Sequence, residues 1–271
     1  MIDLHTHTTA SDGLLEPAAL LDRAHQNGVT TLAITDHDTA AALRELAGRA
    51  LPLELIAGIE VSSSVGESEL HILGYFLDPF DEGVLAYEAE RKRIRETRIA
   101  RMVEQLARNG IPITIEDVRA EMQGGGNPGR PHLARALVKK GLAKDTRDCF
   151  DRLLTPGGPG FVAYEKVSAA EGVALIGRAG GVAVIAHPAL DGVHAHLDAL
   201  RPLGFRGIEV WHSAHTPADQ ARFEAYAREH GLVMTGGSDF HGPGLKEGAD
   251  VGGVACAPAA LEALRRAAGR G

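Results

Sequence analysis

The sequence predicts an α/β protein, a closed or nearly closed barrel of strands alternating with helices, interrupted by a mainly helical insertion. Three observations carry that expectation. Short apolar runs of strand length alternate with amphipathic stretches of helical length, the rhythm of parallel βαβ units, and about seven such strands are too many for a small sandwich. Nearly all the histidines and acids that could do chemistry fall at or just past the carboxyl ends of those runs, the rim on which parallel barrels build their sites. Between Leu77 and Gly180 the rhythm stops for about a hundred residues, far more than a crossover helix and its loops require.

The elements follow in order. Ile2 and Leu4 read as buried strand positions, so His5 and His7 share one side of an extended chain, and Asp12 can fold back over them after a short polar turn. Glu16-Pro17 opens a helix with an apolar stripe of Leu20, Leu21 and Ala24, stopped by Asn27-Gly28. A strand over residues 30–35 ends in Asp36-His37-Asp38, and a helix over 40–50 follows. The run 53–59 ends at Glu60, and 70–76 is a strand with His71 near its start. Later strands over 180–186, 205–210 and 232–236 end in His187-Pro188, Trp211-His212 and Ser238-Asp239-Phe240-His241, with helices expected over 169–178, 193–200 and 217–230. This places the barrel at residues 1–80 and 165–271. The insertion, 81–164, holds a long charged helix over 82–108, helices over 115–122 and 131–139 around a glycine-rich loop at 124–130, and a further helical stretch over 145–154. It is expected to form part of the substrate pocket.

Composition narrows the partners. Hydrophobic residues make up 44% but aromatics only 4%, so the core must be aliphatic, and the only tryptophan, Trp211, reads as packing near the rim. A formal charge of -8 argues against a general nucleic-acid or anionic-membrane coat, while leaving room for a local basic pocket and a small or short partner. Arg91, Lys92, Arg93, Arg95, Arg98 and Arg101 are spread around their helix and interleaved with Glu88, Glu90 and Glu96, the pattern of a solvated helix laced with ion pairs. Cys149 and Cys256 match no zinc or redox spacing, no apolar run reaches the roughly 18 residues of a membrane helix, and the chain starts directly with a strand. These features predict a cytoplasmic protein with no membrane association and no obligate protein partner.

His5, His7, Asp12, His37, Glu60, His71, His187, Asp239 and His241 are six histidines and three carboxylates, enough to hold two or three divalent ions. His71 alone sits at the wrong end of its strand. The motifs His5-Thr-His7, Thr35-Asp-His37, Glu60, His71, Ala186-His187-Pro188 and Gly237-Ser-Asp239-Phe-His241 resemble those of the polymerase and histidinol phosphatase (PHP) family. The resemblance implies a distorted (β/α)7 barrel with a trinuclear metal centre. It assigns His5, His7, Glu60 and Asp239 to one ion, makes Glu60 a bridge to a second held by His71 and His187, and gives Asp12, His37 and His241 the third. No matched ligand position is substituted. Mn²⁺ is the expected metal, and Fe²⁺ or Zn²⁺ suits the same donors.

Several divalent ions around one cavity favour hydrolysis of a phosphate ester, by in-line attack of a metal-bridging hydroxide without a covalent enzyme intermediate. His212 is the candidate proton donor or phosphate contact. Pro131 suits a first helical turn, which sets Arg130 and its neighbouring amides at a positive helix end, so Asn127, Arg130 and His132 are the expected substrate contacts. The Gly-Arg-Pro-His-Leu-Ala-Arg run there resembles a PHP subgroup of nucleoside 3',5'-bisphosphate phosphatases and 5'-to-3' exoribonucleases. The expected reaction removes the 3'-phosphate of a nucleoside 3',5'-bisphosphate, for instance adenosine 3',5'-bisphosphate to AMP and phosphate. The alternatives are exoribonuclease action on short 5'-phosphorylated RNA, a histidinol-phosphatase-like activity, and a metal-stabilised binding module without turnover.

Overall fold

The computed structural model describes residues 1–122, 126–190, 192–245, 250–254 and 256–270. Gly124 and Gly125 of the glycine-rich loop lie outside them. The chain divides into two compact units, one of residues 1–87 and 166–271, the other of residues 88–165.

The first unit opens with β1 (Ile2–Asp3), α1 (Pro17–Gln26), β2 (Thr31–Ile34), α2 (Ala41–Leu46), β3 (Glu54–Val65), β4 (Ser68–Tyr75) and the start of α3 (Glu82–Arg108). It resumes with β5 (Val167–Ser168), α7 (Ala169–Arg178), β6 (Val182–Ile185), α8 (Leu197–Leu200), β7 (Gly207–His212), α9 (Pro217–His230), β8 (Val233–Gly237) and α10 (Pro258–Ala267). The short β5 and the C-terminal α10 are additions to the sequence reading. Strands are hydrogen-bonded in the order β1-β2-β3-β4-β6-β7-β8, with β5 beside β3. Past the last strands, Leu4 N–H donates to Gly236 O (3.2 Å), Asp239 N–H to His5 O (2.8 Å) and His7 N–H to Phe240 O (2.9 Å), which brings the two edges together into a nearly closed barrel.

One expectation needs correcting. The strands are not all parallel: β3 and β4 form an antiparallel hairpin, and β4 is also antiparallel to β6. The reason lies in residues 61–69. Ser62, Ser63 and Ser64 look like the polar end of a strand, yet β3 runs through them to Val65 and turns back at Gly66, whose φ of +57° is a glycine conformation. Because β4 runs backwards, its beginning lies beside the carboxyl-terminal half of β3, and His71 pairs with Ser62. That resolves the odd position of His71.

Local chemistry sets most helix limits. The apolar stripe Leu20, Leu21 and Ala24 of α1 is buried. Ser168 with Glu171 and Thr216 with Asp219 form capping boxes at the starts of α7 and α9, and Gly231 ends α9 in the left-handed region. Two expected helices are shorter. The helix at 40–50 stops at Leu46, before Gly48 at φ +76°, and 193–200 is a 3-10 turn followed by one α-helical turn. The core is aliphatic as expected, with β2 and β6 buried along their whole length between helices.

The second unit holds the rest of α3, α4 (Ile115–Arg119), α5 (Arg130–Lys139), α6 (Thr146–Cys149) and a π-helical turn over Phe150–Leu154. It has its own core, built on Ile99, Met102, Leu106, Val118, Leu133, Leu137 and Leu153. Three arginines of α3 are less solvated than the sequence implies, while Arg93 is exposed and pairs with Glu90 as expected. Arg91 is buried and donates to Glu165 O (2.8 Å), Arg98 donates to Val162 O (2.9 Å), and the guanidinium groups of Arg95 and Arg98 lie 5.2 and 5.1 Å from the Tyr164 ring. No described helix is long and apolar enough to cross a membrane.

Candidate metal centre

The barrel gathers all nine expected ligand residues into one cluster centred on Glu60. His5 and His7 extend from β1, held on one side by the Thr6–Thr35 hydrogen bonds (Thr35 N–H to Thr6 O, 2.9 Å) and on the other by the bonds to Asp239 and Phe240. His37 follows β2 and bridges to Glu60 in β3. His71 comes from β4, His187 from the end of β6, and Asp239 and His241 from the end of β8.

Glu60 is fully buried and serves both sides of the cluster. Its Oε2 lies 3.0 Å from His37 Nδ1, 3.2 Å from His7 Nε2 and 3.4 Å from His5 Nε2. Its Oε1 lies 2.8 Å from His71 Nδ1 and 3.0 Å from His187 Nε2. Asp239 Oδ1 is 3.2 Å from His7 Nε2 and 3.5 Å from His5 Nε2. Asp12 completes the other flank, 3.3 Å from His241 Nε2 and 3.9 Å from His37 Nε2. Ligand atoms of His7, Asp12, His37 and His241 come within 4.8 Å of one another, as do those of His5, His7 and Glu60, and those of His37, Glu60 and His71.

A divalent cation suits this donor set. His5 Nε2, both ring nitrogens of His7, Glu60 Oε2 and His187 Nδ1 are buried with no hydrogen-bond partner, whereas buried polar atoms in native proteins are nearly always satisfied. Charges point the same way. Burial opposes ionisation of Glu60, but His37, His71 and His5 outweigh it and hold the carboxyl well below its usual range; His241 and His37 do the same for Asp12. Burial lowers His7 and His187. Burial also opposes charge on His5 and His71, but Glu209 and Glu60 outweigh it to raise His5 well above its ordinary value and Glu60 and Glu69 raise His71 to about 10, so an ion must displace protons from those two rings. Ionised carboxylates and neutral imidazoles are the forms that bind metals.

The backbone is shaped to suit. His187 (φ +24°) and Asp239 (φ +53°) occupy conformations costing a side-chain-bearing residue roughly 1–3 kcal/mol each. A Cβ on Gly237 would lie 2.4 Å from the backbone nitrogen of His5, so only glycine admits this approach of β8 to the first ligand segment.

His212 joins the cluster with a constraint that sequence could not supply. Ala214 N–H donates to its Nδ1 (3.0 Å), so the neutral ring carries its proton on Nε2, 3.4 Å from Asp239 Oδ2. His212 is therefore a hydrogen-bond donor at the cluster and has no lone pair to offer an ion there.

Among the described residues four buried carboxylates lie outside the expected set: Asp38, which accepts from Ser62 N–H (2.7 Å), and three nearer the cluster's supports. Glu209 accepts from His5 Nδ1 (3.0 Å) and His187 N–H (2.8 Å). Asp36 accepts from Thr8 N–H, Thr8 Oγ1 and Ser11 Oγ at 2.6–2.7 Å, pinning the loop that returns Asp12. Asp3 accepts from Ser238 N–H (2.9 Å), Ser238 Oγ (2.7 Å) and Gly252 N–H (2.8 Å). The available signal was a charged residue inside an apolar strand run, as in Ile208-Glu209-Val210, because an acid there needs buried partners. A bulge in β7 decides its direction. Glu209 pairs with Thr235 and Trp211 with Gly236, so Val210 is extra, and Glu209 and His212, three apart, both face His5.

The expected substrate contacts lie in the helical unit. Arg130 is the first residue of α5, with its guanidinium 5.5 Å from the Phe150 ring. Asn127 and His132 are buried, and His132 Nδ1 accepts Gly129 N–H (3.1 Å), capping the helix.

Known proteins resemble this chain along most of its length. A family model described as PHP domain matches residues 3–115. The chain is 39% identical to a 3',5'-nucleoside bisphosphate phosphatase of Chromobacterium violaceum over 93% of its length and 90% of that protein's. It is 38% identical to the 5'-3' exoribonuclease Rnm of Escherichia coli, over 89% and 85% of the two chains. It also resembles the solved structure of an amidohydrolase from Chromobacterium violaceum with bound sulfate and no metal, at a TM-score of 0.87 and 34% identity, covering 98% of this chain and 96% of that one.

Proposed function

Because the chain belongs to the PHP family of metal-dependent phosphoesterases, we propose that it hydrolyses the 3'-phosphate of nucleoside 3',5'-bisphosphates. The observation that carries this reading is Glu60, a buried carboxylate with histidine nitrogens ranged along both of its oxygens. Such a group can bridge cations.

In this proposal His5, His7, Glu60 and Asp239 hold one ion, Glu60, His71 and His187 a second, and Asp12, His37 and His241 a third. Bound Mn²⁺, or Fe²⁺ or Zn²⁺ in its place, would polarise the phosphoryl oxygens and supply a nucleophilic water at neutral pH. The protein's own part is orientation and charge. His212 presents Nε2–H to a phosphoryl or leaving oxygen, as its Ala214 hydrogen bond dictates. Arg130, Asn127 and His132 are the contacts proposed for the 5'-phosphate, with the helix end of α5 adding its amides. The phosphatase relative, similar over nearly the whole chain, supports the bisphosphate substrate.

A second reading has support of its own. The exoribonuclease relative covers almost as much of the chain at almost the same identity, and a 5'-phosphate anchor would serve the end of a short RNA equally well.

Phosphate release with Mn²⁺ across nucleoside 2'-, 3'-, 5'- and 3',5'-phosphates and a 5'-phosphorylated oligoribonucleotide tests both. The bisphosphate should be the best substrate, and Asp239→Ala should abolish its turnover. Equal rates on 5'-monophosphates and 3',5'-bisphosphates would remove the second anchor. Processing of the oligonucleotide alone would replace the phosphatase reading with the exoribonuclease one.

A further inference from the structure

We infer that Glu209 is a positioning residue: its carboxylate fixes the tautomer of His5 and clamps the backbone of His187, so that both present their ring Nε2 atoms to the cluster. The inference rests on the metal-centre reading above and adds to it a residue with no place in the ligand set.

Glu209 is fully buried in β7, and each oxygen has a separate task. Oε1 lies 3.0 Å from His5 Nδ1, and Oε2 accepts His187 N–H at 2.8 Å. An ionised carboxylate can only accept, so His5 Nδ1 must carry a proton whatever the charge of the ring, and Nε2 is the nitrogen left to an ion, facing Glu60 (3.4 Å) and Asp239 (3.5 Å). His5 Nε2 is buried without a hydrogen-bond partner, as expected of an atom prepared for an ion. At the other oxygen the bond holds a residue with φ +24°, a conformation that persists only when its surroundings impose it. Glu209 thus ties the end of β6 to the segment after β1. Its reach depends on the β7 bulge, which lets Glu209 and His212 face the same side.

The carboxylate therefore matters for its two acceptors rather than for its volume. Glu209→Gln keeps the shape and replaces one acceptor by a donor. A backbone N–H cannot change its polarity, so the amide oxygen must stay with His187 and the amide NH₂ must face His5 Nδ1. His5 can satisfy that arrangement only by moving its proton to Nε2, which removes it from the donor set.

The test uses the full chain, ¹⁵N-labelled on histidine, as metal-free parent and Glu209→Gln, followed by Mn²⁺ titration and thermal unfolding of each. The His5 ring should show a protonated Nδ1 in the parent and a protonated Nε2 in the variant. Mn²⁺ affinity should fall about 10–100-fold, the range for an outer partner of a metal ligand. A merely structural Glu209 would lower the melting temperature of the metal-free protein while leaving the His5 tautomer and the Mn²⁺ titration unchanged, and that result overturns the inference. If the variant fails to fold, the parent spectrum decides: a His5 ring with no proton on Nδ1 refutes it, and one with a proton there upholds it. A parent that takes up no Mn²⁺ defeats the metal-centre reading, whereas the wrong tautomer defeats only the role of Glu209.

Discussion

Glu60 and His212 differ in what their removal should do. Glu60 lies against five of the histidines, so Glu60→Gln leaves buried imidazoles facing one another with one acceptor fewer. Phosphoesterase activity and bound metal should fall together, by more than the roughly hundredfold typical of an outer partner; metal content and phosphate release measured on one preparation check this. His212 should act on turnover instead. Loss of a donor aimed at developing charge costs about 10²–10³ in kcat, so His212→Ala should show that loss with metal content unchanged. His212→Gln, which retains an N–H donor, should recover part of it. If metal content drops with His212→Ala, the ring is a ligand after all and the tautomer deduced from Ala214 is wrong.

Among the elements, β8 carries the tightest constraint. Its last residue, Gly237, leaves no room for a methyl group against the His5 backbone, and neither segment can retreat without breaking the bonds that draw the barrel closed. Gly237→Ala should destabilise the protein by about 1–3 kcal/mol through overpacking and weaken Mn²⁺ binding as well, readable from urea unfolding and metal titration. In the helical unit, α4 offers a pH test. Asp117 forms a capping box with Thr114 and also pairs with Lys140, and these partners hold its carboxyl at about 2 against an ordinary 3.8. A carboxyl depressed in the folded state stabilises fully above the unfolded value and loses that contribution as pH falls through the folded one. The gap in urea midpoint between parent and Asp117→Asn should be constant from pH 7 to 5 and close as pH drops from about 4 towards 2. The gap should be small throughout, since Asp117 is only half-buried and solvent screens its ion pair.

For the whole molecule, the two cores predict unequal responses to metal. The ligands all belong to the barrel unit, whereas the core built on Leu106, Leu133 and Leu153 belongs to residues 88–165. Saturating Mn²⁺ at about a hundred times its dissociation constant should add about 2.7 kcal/mol per site to folded-state stability. Hydrogen exchange should slow in β1 to β4 and β6 to β8 and hardly change in α4 and α5, and a chelator should reverse the effect. Equal protection of both units would show that they respond as one cooperative body. The sequence by itself determined the alternation of strands and helices, the interruption after Leu77 and which nine residues to expect as donors, because alternation, capping residues and strand-end positions are local properties of the chain. It could not show that β3 continues through three serines into a hairpin, so His71 looked misplaced until the reversed β4 carried it to the cluster. Nor could it find Glu209, whose direction depends on a bulge, or the proton position on His212, which depends on a backbone amide two residues away. Those facts are decided by which strand lies beside which and by what each buried group must accept or donate, and neither exists until the chain has closed on itself.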